Sequence, residues 1–447
     1  MLWIKRRPKS GREAATNMDY PKAKIPTEPV VGLSSFGLPL FGSASQGHVP
    51  SVLDVRHVLH TTSGRMAIGL ALQHMDIAAG DEVLLPAYHS RSMVEPVIAM
   101  GAVPVFYRIR ANTAVDLGDV SAKITARSKV LVAVNYFGFP QDLARIRSYC
   151  DQHRLLMLED CAHAFLGQHA GKALGSFGDY AIASTMKFFP VYDGGCLVSD
   201  RHRLDAVRQV SAGLRFEMKT ALNTLEKAFA YRRMRLLATV LSLPMAVKNR
   251  LWRVMKSRGS TQPAAIGPRA SDGAFGFEAN WLDKRASLAS RLILKWASKA
   301  RAAETRRTRY LQWQAALADL TDCAPLYPAL PEGVYPWVFP LKVDDPAGVF
   351  PKLKHAGVPV VRFAEFLWDG VDASVCAVSD ELSRSVMQFP CHQELRDDEF
   401  DWMVDNVRRI LQDHATTAMT TTTATASAGS IGSTGSATAI ATTAVAS

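Results

Sequence analysis

Between Val83 and Val198 short apolar runs alternate with amphipathic stretches, and this pattern restricts the fold more than any other feature of the chain. The runs are Val83-Leu84-Leu85-Pro86, Val103–Ile109, Lys129–Asn135, Leu155–Leu158, Tyr180–Ala183 and Cys196-Leu197-Val198. A helical pattern precedes them at Met66–Leu72, and others separate them, from Ser90 to Met100 and at Leu143–Tyr149. Strands apolar on both faces, spaced by helices, dictate an α/β fold with a mostly parallel sheet covered on both sides. In open sheets of this kind ligands collect at the carboxyl ends of the strands. His89, Tyr136, Asp160 and Lys187 each follow a strand and are expected to share one cleft.

Two of these residues carry specific chemistry. Lys187 lies between the apolar run Tyr180–Ala183 and the turn Asp193-Gly194-Gly195. A lysine so placed must be solvated, paired or covalently used, because an unpaired buried ammonium costs several kcal/mol or loses its proton. Asp160 closes the preceding strand. A strand-end acid and a strand-end lysine meet the needs of pyridoxal 5'-phosphate (PLP): an amine to hold the aldehyde, and a carboxylate to keep the pyridine nitrogen protonated. Upstream, Ser63 or Thr62 is a helix N-cap, and the start Ser63-Gly64-Arg65 offers exposed amides to a phosphate.

Composition bounds the alternatives. A chain of 447 residues can bury a full core and is expected to hold two domains. The formal charge of +11 favours anionic ligands or surfaces without choosing among them. The six cysteines show neither disulfide nor zinc spacing, so buried thiols, no metal and a cytoplasmic setting are expected. Lys5-Arg6-Arg7-Pro8-Lys9 has no apolar segment behind it, unlike a secretory signal.

Several linked motifs resemble the DegT/DnrJ/EryC1/StrS family of fold-type-I PLP enzymes, mostly sugar aminotransferases. They are Ser63-Gly64, Gly80-Asp81-Glu82-Val83, Pro86-Ala87-Tyr88, Gly101–Val105, Glu159–His163, Gly175–Asp179 and Lys187 with Asp193-Gly194-Gly195, in that order. The resemblance implies that Lys187 is the catalytic Schiff-base lysine and that Asp160 pairs with the pyridinium nitrogen. It implies further that His163 lies near the phenolic oxygen, and that Ser63, Gly64, Arg65 and Ser184 hold the phosphate. Arg65 stands where the family has Thr. Ser90 stands where the family has a ring-stacking aromatic, so Tyr88 or His89 is expected to cover the ring, His89 in preference. Asn280 is the candidate contact to the cofactor of a partner subunit. The implied partners are an amino donor such as glutamate, a keto-sugar carried on a nucleotide, and a second copy in a homodimer, with no nucleic acid. The implied setting is polysaccharide or glycoconjugate biosynthesis.

The expected organisation is an N-terminal arm at 1–50, weakly ordered; a large cofactor domain at 51–320; a small C-terminal α/β domain at 321–414; and a disordered Thr/Ala/Ser/Gly tail at 415–447. Arg201–Arg215 reads as a helix, and 216–276 is atypical for the family. Its basic and apolar stretch 227–258 is read as a surface hairpin, with peripheral membrane contact as the alternative. The loop at 259–276 is a candidate lid. Asn280–Leu320 reads as one long helix, with Leu288, Leu292, Ile293 and Trp296 inward and Arg301, Arg306, Arg307 and Arg309 toward solvent. Arg362 is expected in a structural ion pair. A sugar dehydrase of the same family would lack the lysine, and a cysteine desulfurase would need a mobile nucleophilic cysteine. A non-catalytic membrane-associated homologue is the remaining alternative.

Overall fold

A computed structural model describes residues 20–36, 47–241 and 277–430, the stretch 418–430 by backbone alone. The large domain runs β1 (His57–Thr61), α1 (Gly64–His74), β2 (Glu82–Pro86), α2 (Arg91–Ala99), β3 (Val103–Tyr107), α3 (Leu117–Lys123), β4 (Ser128–Val134), α4 (Leu143–His153) and β5 (Leu156–Cys161). A short hairpin, β6 (Gln168–His169) and β7 (Lys172–Ala173), leads to β8 (Tyr180–Ser184) and β9 (Gly195–Ser199). The sheet order is β1-β9-β8-β5-β4-β2-β3. The five strands from β8 to β3 are parallel, and β9 is antiparallel to both β8 and β1. The chain passes from β2 outward to β3 and returns to β4 on the other side, so the order reverses between β2 and β4.

Every residue of β2, β8 and β9 is buried, which is why these segments read as unbroken apolar runs. Helix α1 covers the sheet with Met66, Ala67, Leu70 and Ala71, and its start is capped by Ser63 Oγ, which accepts the Met66 N–H at 3.3 Å. All six cysteines are buried and unpaired.

Beyond the sheet come α5 (Leu214–Ala230), α6 (Leu288–Trp296) and α7 (Lys299–Leu317). The small domain holds an antiparallel sheet in the order β10-β11-β13-β12: β10 (Cys323–Pro325), β11 (Val338–Val343), β13 (Val386–Pro390) and β12 (Val361–Arg362). Helices α8 (Pro346–Ala356), α9 (Ala373–Ser385) and α10 (Asp397–Ser430) complete it. Its core centres on Trp313 of α7, stacked on Phe339 with ring centroids 5.6 Å apart and tilted against Phe389 at 5.2 Å.

Five expectations change. Residues 201–213 form turns, and helix begins only at Leu214. The long helix is two, because Ala297 is extended and Ser298 starts a new cap, its Oγ accepting the Arg301 N–H at 3.1 Å. Residues 20–36 of the arm are packed: Ile25, Val30 and Val31 are buried, and the Lys24 N–H donates to Gly357 O at 2.9 Å. The closing helix passes Leu411 and continues to Ser430, since extending a helix from a packed stem avoids the cost of nucleating one. Helix α9 lies where no helix was read. Most of the basic stretch 227–258, the loop 259–276 and the end of the tail from 431 lie outside the described residues.

Candidate active site

The cleft opens where β5 and β8, adjacent and parallel, reach their carboxyl ends, with Asp160 opposite Ile182 in the register. Asp160 lies in the last pleat of β5, with Ala162 and His163 just beyond it; Ser184 ends β8, with Met186 and Lys187 just beyond it. Ser63, Gly64 and Arg65 at the start of α1 form a further wall. The Asp-Gly-Gly turn brings this helix start close. Gly194 has φ +136°, and a Cβ there would overlap Thr185 Oγ1; a Cβ on Gly195 would overlap the backbone of Ser63 and Gly64. Two residues without side chains therefore let the turn after Lys187 lie directly on the N-terminus of α1. Asp193 secures the turn from the other side, accepting Ser287 Oγ and Ser290 Oγ, both at 2.6 Å.

Glu159 and Asp160 are consecutive, and strand alternation sends them to opposite faces. Glu159 is fully buried and accepts Gly175 N–H at 2.9 Å, Phe177 N–H at 3.1 Å and Asn135 Nδ2 at 3.1 Å, so it holds a loop in place. Asp160 borders the cleft and accepts the Ala162 N–H at 2.7 Å. Burial pushes its carboxyl up to about 6, against the opposing pull of the Ala162 amide and the Lys187 charge. A protonated ring nitrogen beside this carboxylate would supply the counter-charge that burial removes.

His163 is held by rings on several sides: Trp337 stacks on it at 4.1 Å and the Phe363 edge approaches at 4.8 Å. Burial, followed by the Lys187 charge, holds its pKa well below the ordinary histidine value, so the imidazole is neutral at neutral pH. Its Nδ1 accepts the Phe137 N–H at 3.4 Å. The Lys187 ammonium lies over the Trp337 ring, 4.4 Å from its centroid.

The backbone of Lys187 is clamped from the small domain. Arg306, fully buried, donates to Lys187 O at 3.1 Å, Phe188 O at 3.3 Å and Trp337 O at 2.7 Å, and to Gln393 Oε1 at 3.2 Å. Gln393 Nε2 in turn donates to Phe188 O at 2.8 Å. One guanidinium thus ties the lysine loop to the strand start that carries the indole beneath the lysine. The reading of Arg306 as a solvated arginine is corrected: several carbonyls without strand partners converge on it. Arg309 is also buried, paired with Asp397.

The donor set fits a phosphorylated pyridine aldehyde: an acid at the carboxyl end of a central strand for the ring nitrogen, a lysine in the turn after the neighbouring strand for the aldehyde, and a capped helix start with Ser184 for the phosphate. Arg65 lines the same wall and pairs with Glu95 at 3.2 Å.

The structure gathers Ser63, Gly64, Arg65, Asp160, His163, Ser184 and Lys187, but neither His89 nor Tyr88, one of which was expected over the cofactor. His89 is turned inward. Its Nδ1 lies 3.0 Å from Ala87 O, its Nε2 accepts the Trp368 N–H at 3.0 Å, and its ring stacks on Phe106 at 4.8 Å. Tyr88 packs in the core against Tyr136 and Phe363. The corresponding part of the wall is instead Ser90, Ser92 and Met93. Tyr136 also lies in the core, donating to Tyr88 O at 2.5 Å. Asn280 is exposed in a surface depression with Gln73 and Arg208; its expected partner-subunit contact is not one that a single chain displays. Sequence reasoning missed Trp337, Phe363 and Arg306. Only the aromatic density of Tyr335–Phe339 hinted at the first.

Comparison with known proteins agrees with this architecture. Residues 48–240 match the model of the DegT/DnrJ/EryC1/StrS aminotransferase family. A GDP-perosamine synthase of Vibrio cholerae is 35% identical over 154 residues, 33% of this chain and 41% of that protein. A UDP-N-acetyl-3-dehydro-alpha-D-glucosamine 3-aminotransferase of Acidithiobacillus ferrooxidans is 35% identical over 173 residues, 37% of this chain and 46% of that protein. The chain thus spans less than half the length of these curated relatives. The crystal structure of NtdA from Bacillus subtilis with bound cofactor PMP superposes with a TM-score of 0.55 at 19% identity, covering 80% of this chain and 74% of that one. This likeness establishes a shared fold.

Proposed function

We propose, for a chain whose residues 48–240 match the model of the DegT/DnrJ/EryC1/StrS aminotransferase family, that the protein is a PLP-dependent aminotransferase acting on a keto-sugar. An amino acid, glutamate in our reading, gives its amino group and leaves as a 2-oxo acid. The ketone of a nucleotide-linked sugar takes the nitrogen and leaves as an amino sugar. The two exchanges balance without an external oxidant or reductant. Such a product belongs to polysaccharide or glycoconjugate assembly. One observation carries the reading: Asp160 at the end of β5 and Lys187 in the turn just after the adjacent parallel strand β8 line one cleft walled by a helix start.

When bound, the cofactor supplies an aldehyde for the amine and a ring that accepts an electron pair. The rest is the work of this chain. Asp160 holds the proton of the ring nitrogen. Lys187 Nζ is the covalent anchor and, once displaced, moves a proton off and onto the carbon that bears the nitrogen. The amides of Ser63, Gly64 and Arg65 and the Ser184 hydroxyl receive the phosphate. His163, neutral and fixed between rings, serves the phenolic oxygen. Arg306 keeps Lys187 in register without touching the cofactor.

A homodimer is part of the proposal, supported by the stripe Leu288, Leu292 and Trp296, which this chain leaves exposed. Asn280 then serves the partner's cofactor. Among the described residues no helix is long and apolar enough to cross a membrane.

The test is optical and covalent. Protein incubated with PLP should turn yellow, borohydride should bleach it, and peptide mapping should find the reduced label on Lys187. Lys187→Ala should stay colourless. A label on another lysine, or a Lys187→Ala protein that is still yellow, overturns the assignment.

A further inference from the structure

Trp337 is fixed by its backbone from two sides. Its N–H donates to Phe137 O at 2.8 Å, across the seam to the large domain, and its carbonyl accepts Arg306 Nη1 at 2.7 Å. The indole held in this way meets two groups of the cleft. His163 stacks on it with ring centroids 4.1 Å apart, and the Lys187 ammonium stands over it, 4.4 Å from the centroid. The same residue lines a second cavity of about 340 Å³, together with Phe363, Arg362 and Gln388. Trp337 is therefore half-buried, at the border between the cofactor cleft and that cavity.

The face of an indole carries negative charge density and attracts an ammonium within about 6 Å of its centroid, the more strongly the less water is present. A neutral amine feels no such pull. The ring thus distinguishes the two protonation states of the lysine. The other groups around the amine act on it as well. Asp160 at the end of β5 attracts the ammonium, and His163 beside it is held neutral by burial. Arg65 at the start of α1 and Arg306 behind the lysine loop oppose it. Beyond the indole, the second cavity adds Glu28, Arg91, Arg362 and Glu365, all of them in ion pairs.

We infer that Trp337 is a positioning residue for the amine of Lys187: its indole face holds the ammonium before the lysine takes the cofactor, and again after an amino acid has displaced it. The assignment rests on the aminotransferase reading. Arg306 fixes the backbone end of the lysine and Trp337 the other end, so the flexible four-carbon stem returns to one place in the cleft. Loss of the proton weakens the hold. The ring therefore keeps the amine while it is charged and releases it as it becomes a nucleophile.

The experiment follows the rate at which the cofactor-free full chain turns yellow when PLP is added at a series of pH values. The neutral amine attacks the aldehyde, a C=N bond forms and water leaves, so the midpoint of the rate profile reports where Lys187 gives up its proton. Borohydride reduction and peptide mapping verify that the label is on Lys187 in every form. Asp160, His163 and the PLP phosphate are common to all forms, so a difference between forms belongs to the indole. Trp337→Met keeps apolar bulk without the π face. It should lower the midpoint by about one pH unit and speed loading below the midpoint by roughly tenfold. Trp337→Phe, with a weaker face, should fall between Trp337→Met and the wild type. Thermal unfolding should show all three folded; should Trp337→Met not fold, Trp337→Phe alone must still lie below the wild type. Equal midpoints, or a midpoint raised by Trp337→Met, overturn the role of Trp337 and leave the PLP reading standing. A chain that stays colourless in every form overturns that reading, and this role with it.

Discussion

Helices α6 and α7 are separated by only Ala297 and Ser298, yet they treat their side chains in opposite ways. Leu288, Leu292 and Trp296 of α6 are 52%, 37% and 59% exposed, whereas Arg306 of α7 is completely buried. Helical periodicity predicts that each helix has two faces. It does not say what lies opposite them. Helix α7 crosses the seam between the domains, where the carbonyls of Lys187, Phe188 and Trp337 lack strand partners and a guanidinium can serve them together. Helix α6 lies over the Asp193 turn and buries Ser290 and Leu294 there, which leaves its apolar stripe to the outside.

The comparison breaks most readily at Arg306. Arg306→Met should cost on the order of 3–5 kcal/mol, because it leaves several buried carbonyls unserved. Arg306→Lys should fall between, since an ammonium has fewer donors and a different geometry. Chemical denaturation measures both. A loss below about 1 kcal/mol for Arg306→Met would return this arginine to the solvated class.

A somewhat smaller effect separates Asp160 from an ordinary acid. Its folded pKa, about 6, lies above the usual carboxylate value, so the folded protein keeps a proton that the unfolded chain has released. The associated stability is present below about pH 4 and disappears as pH rises through about 6, in total on the order of 3 kcal/mol. In cofactor-free protein, Asp160→Asn should flatten that part of the stability-versus-pH curve. An unchanged slope would mean that Asp160 is not the titrating group.

Ser287 sharpens the role of α6 as a support. It caps the helix, its Oγ accepting the Ser290 N–H at 3.2 Å, and it donates to Asp193, so Ser287→Ala should cost about 1–2 kcal/mol by thermal unfolding. The exposed stripe gives the smallest effect on the single chain. Leu292→Gln should change the stability of the isolated protomer by no more than about 0.5 kcal/mol. In sedimentation, Leu292→Gln with Trp296→Gln should shift dimer to monomer. A wild-type chain that sediments as a monomer removes the stripe from the dimer argument.

Much of the fold and half of the candidate site were legible because they are local. Strands β2, β5 and β8 announce themselves by continuous burial, and Asp160, Lys187 and Ser63 stand at element ends that such patterns reveal. The turn at Gly194 and Gly195 was legible as a turn, but not its reason, which is the backbone of Ser63 and Gly64 pressed against it. The failures have a common cause. His89 follows a strand as the rule requires, yet Phe106 and the Trp368 N–H claim its ring for the core. Arg362 was read correctly as ion-paired, but nothing in its neighbourhood along the chain discloses the cavity it shares with Gln388.

What the sequence by itself determined is the layered sheet and the pairing of an acid with an amine, because strand length, apolar continuity and position at a strand end are properties of neighbouring residues. Only the tertiary structure decided that His89 and Tyr136 turn into the core while Asp160 and Lys187 line the cleft, that Arg306 lies beneath the lysine loop, and that Trp337, Phe363 and Gln388 line a second cavity. Burial and hydrogen-bond satisfaction depend on what comes to lie opposite a side chain, and here the groups that do so are up to 200 residues or more apart in the chain: Gln393 Nε2 and Phe188 O are separated by 205.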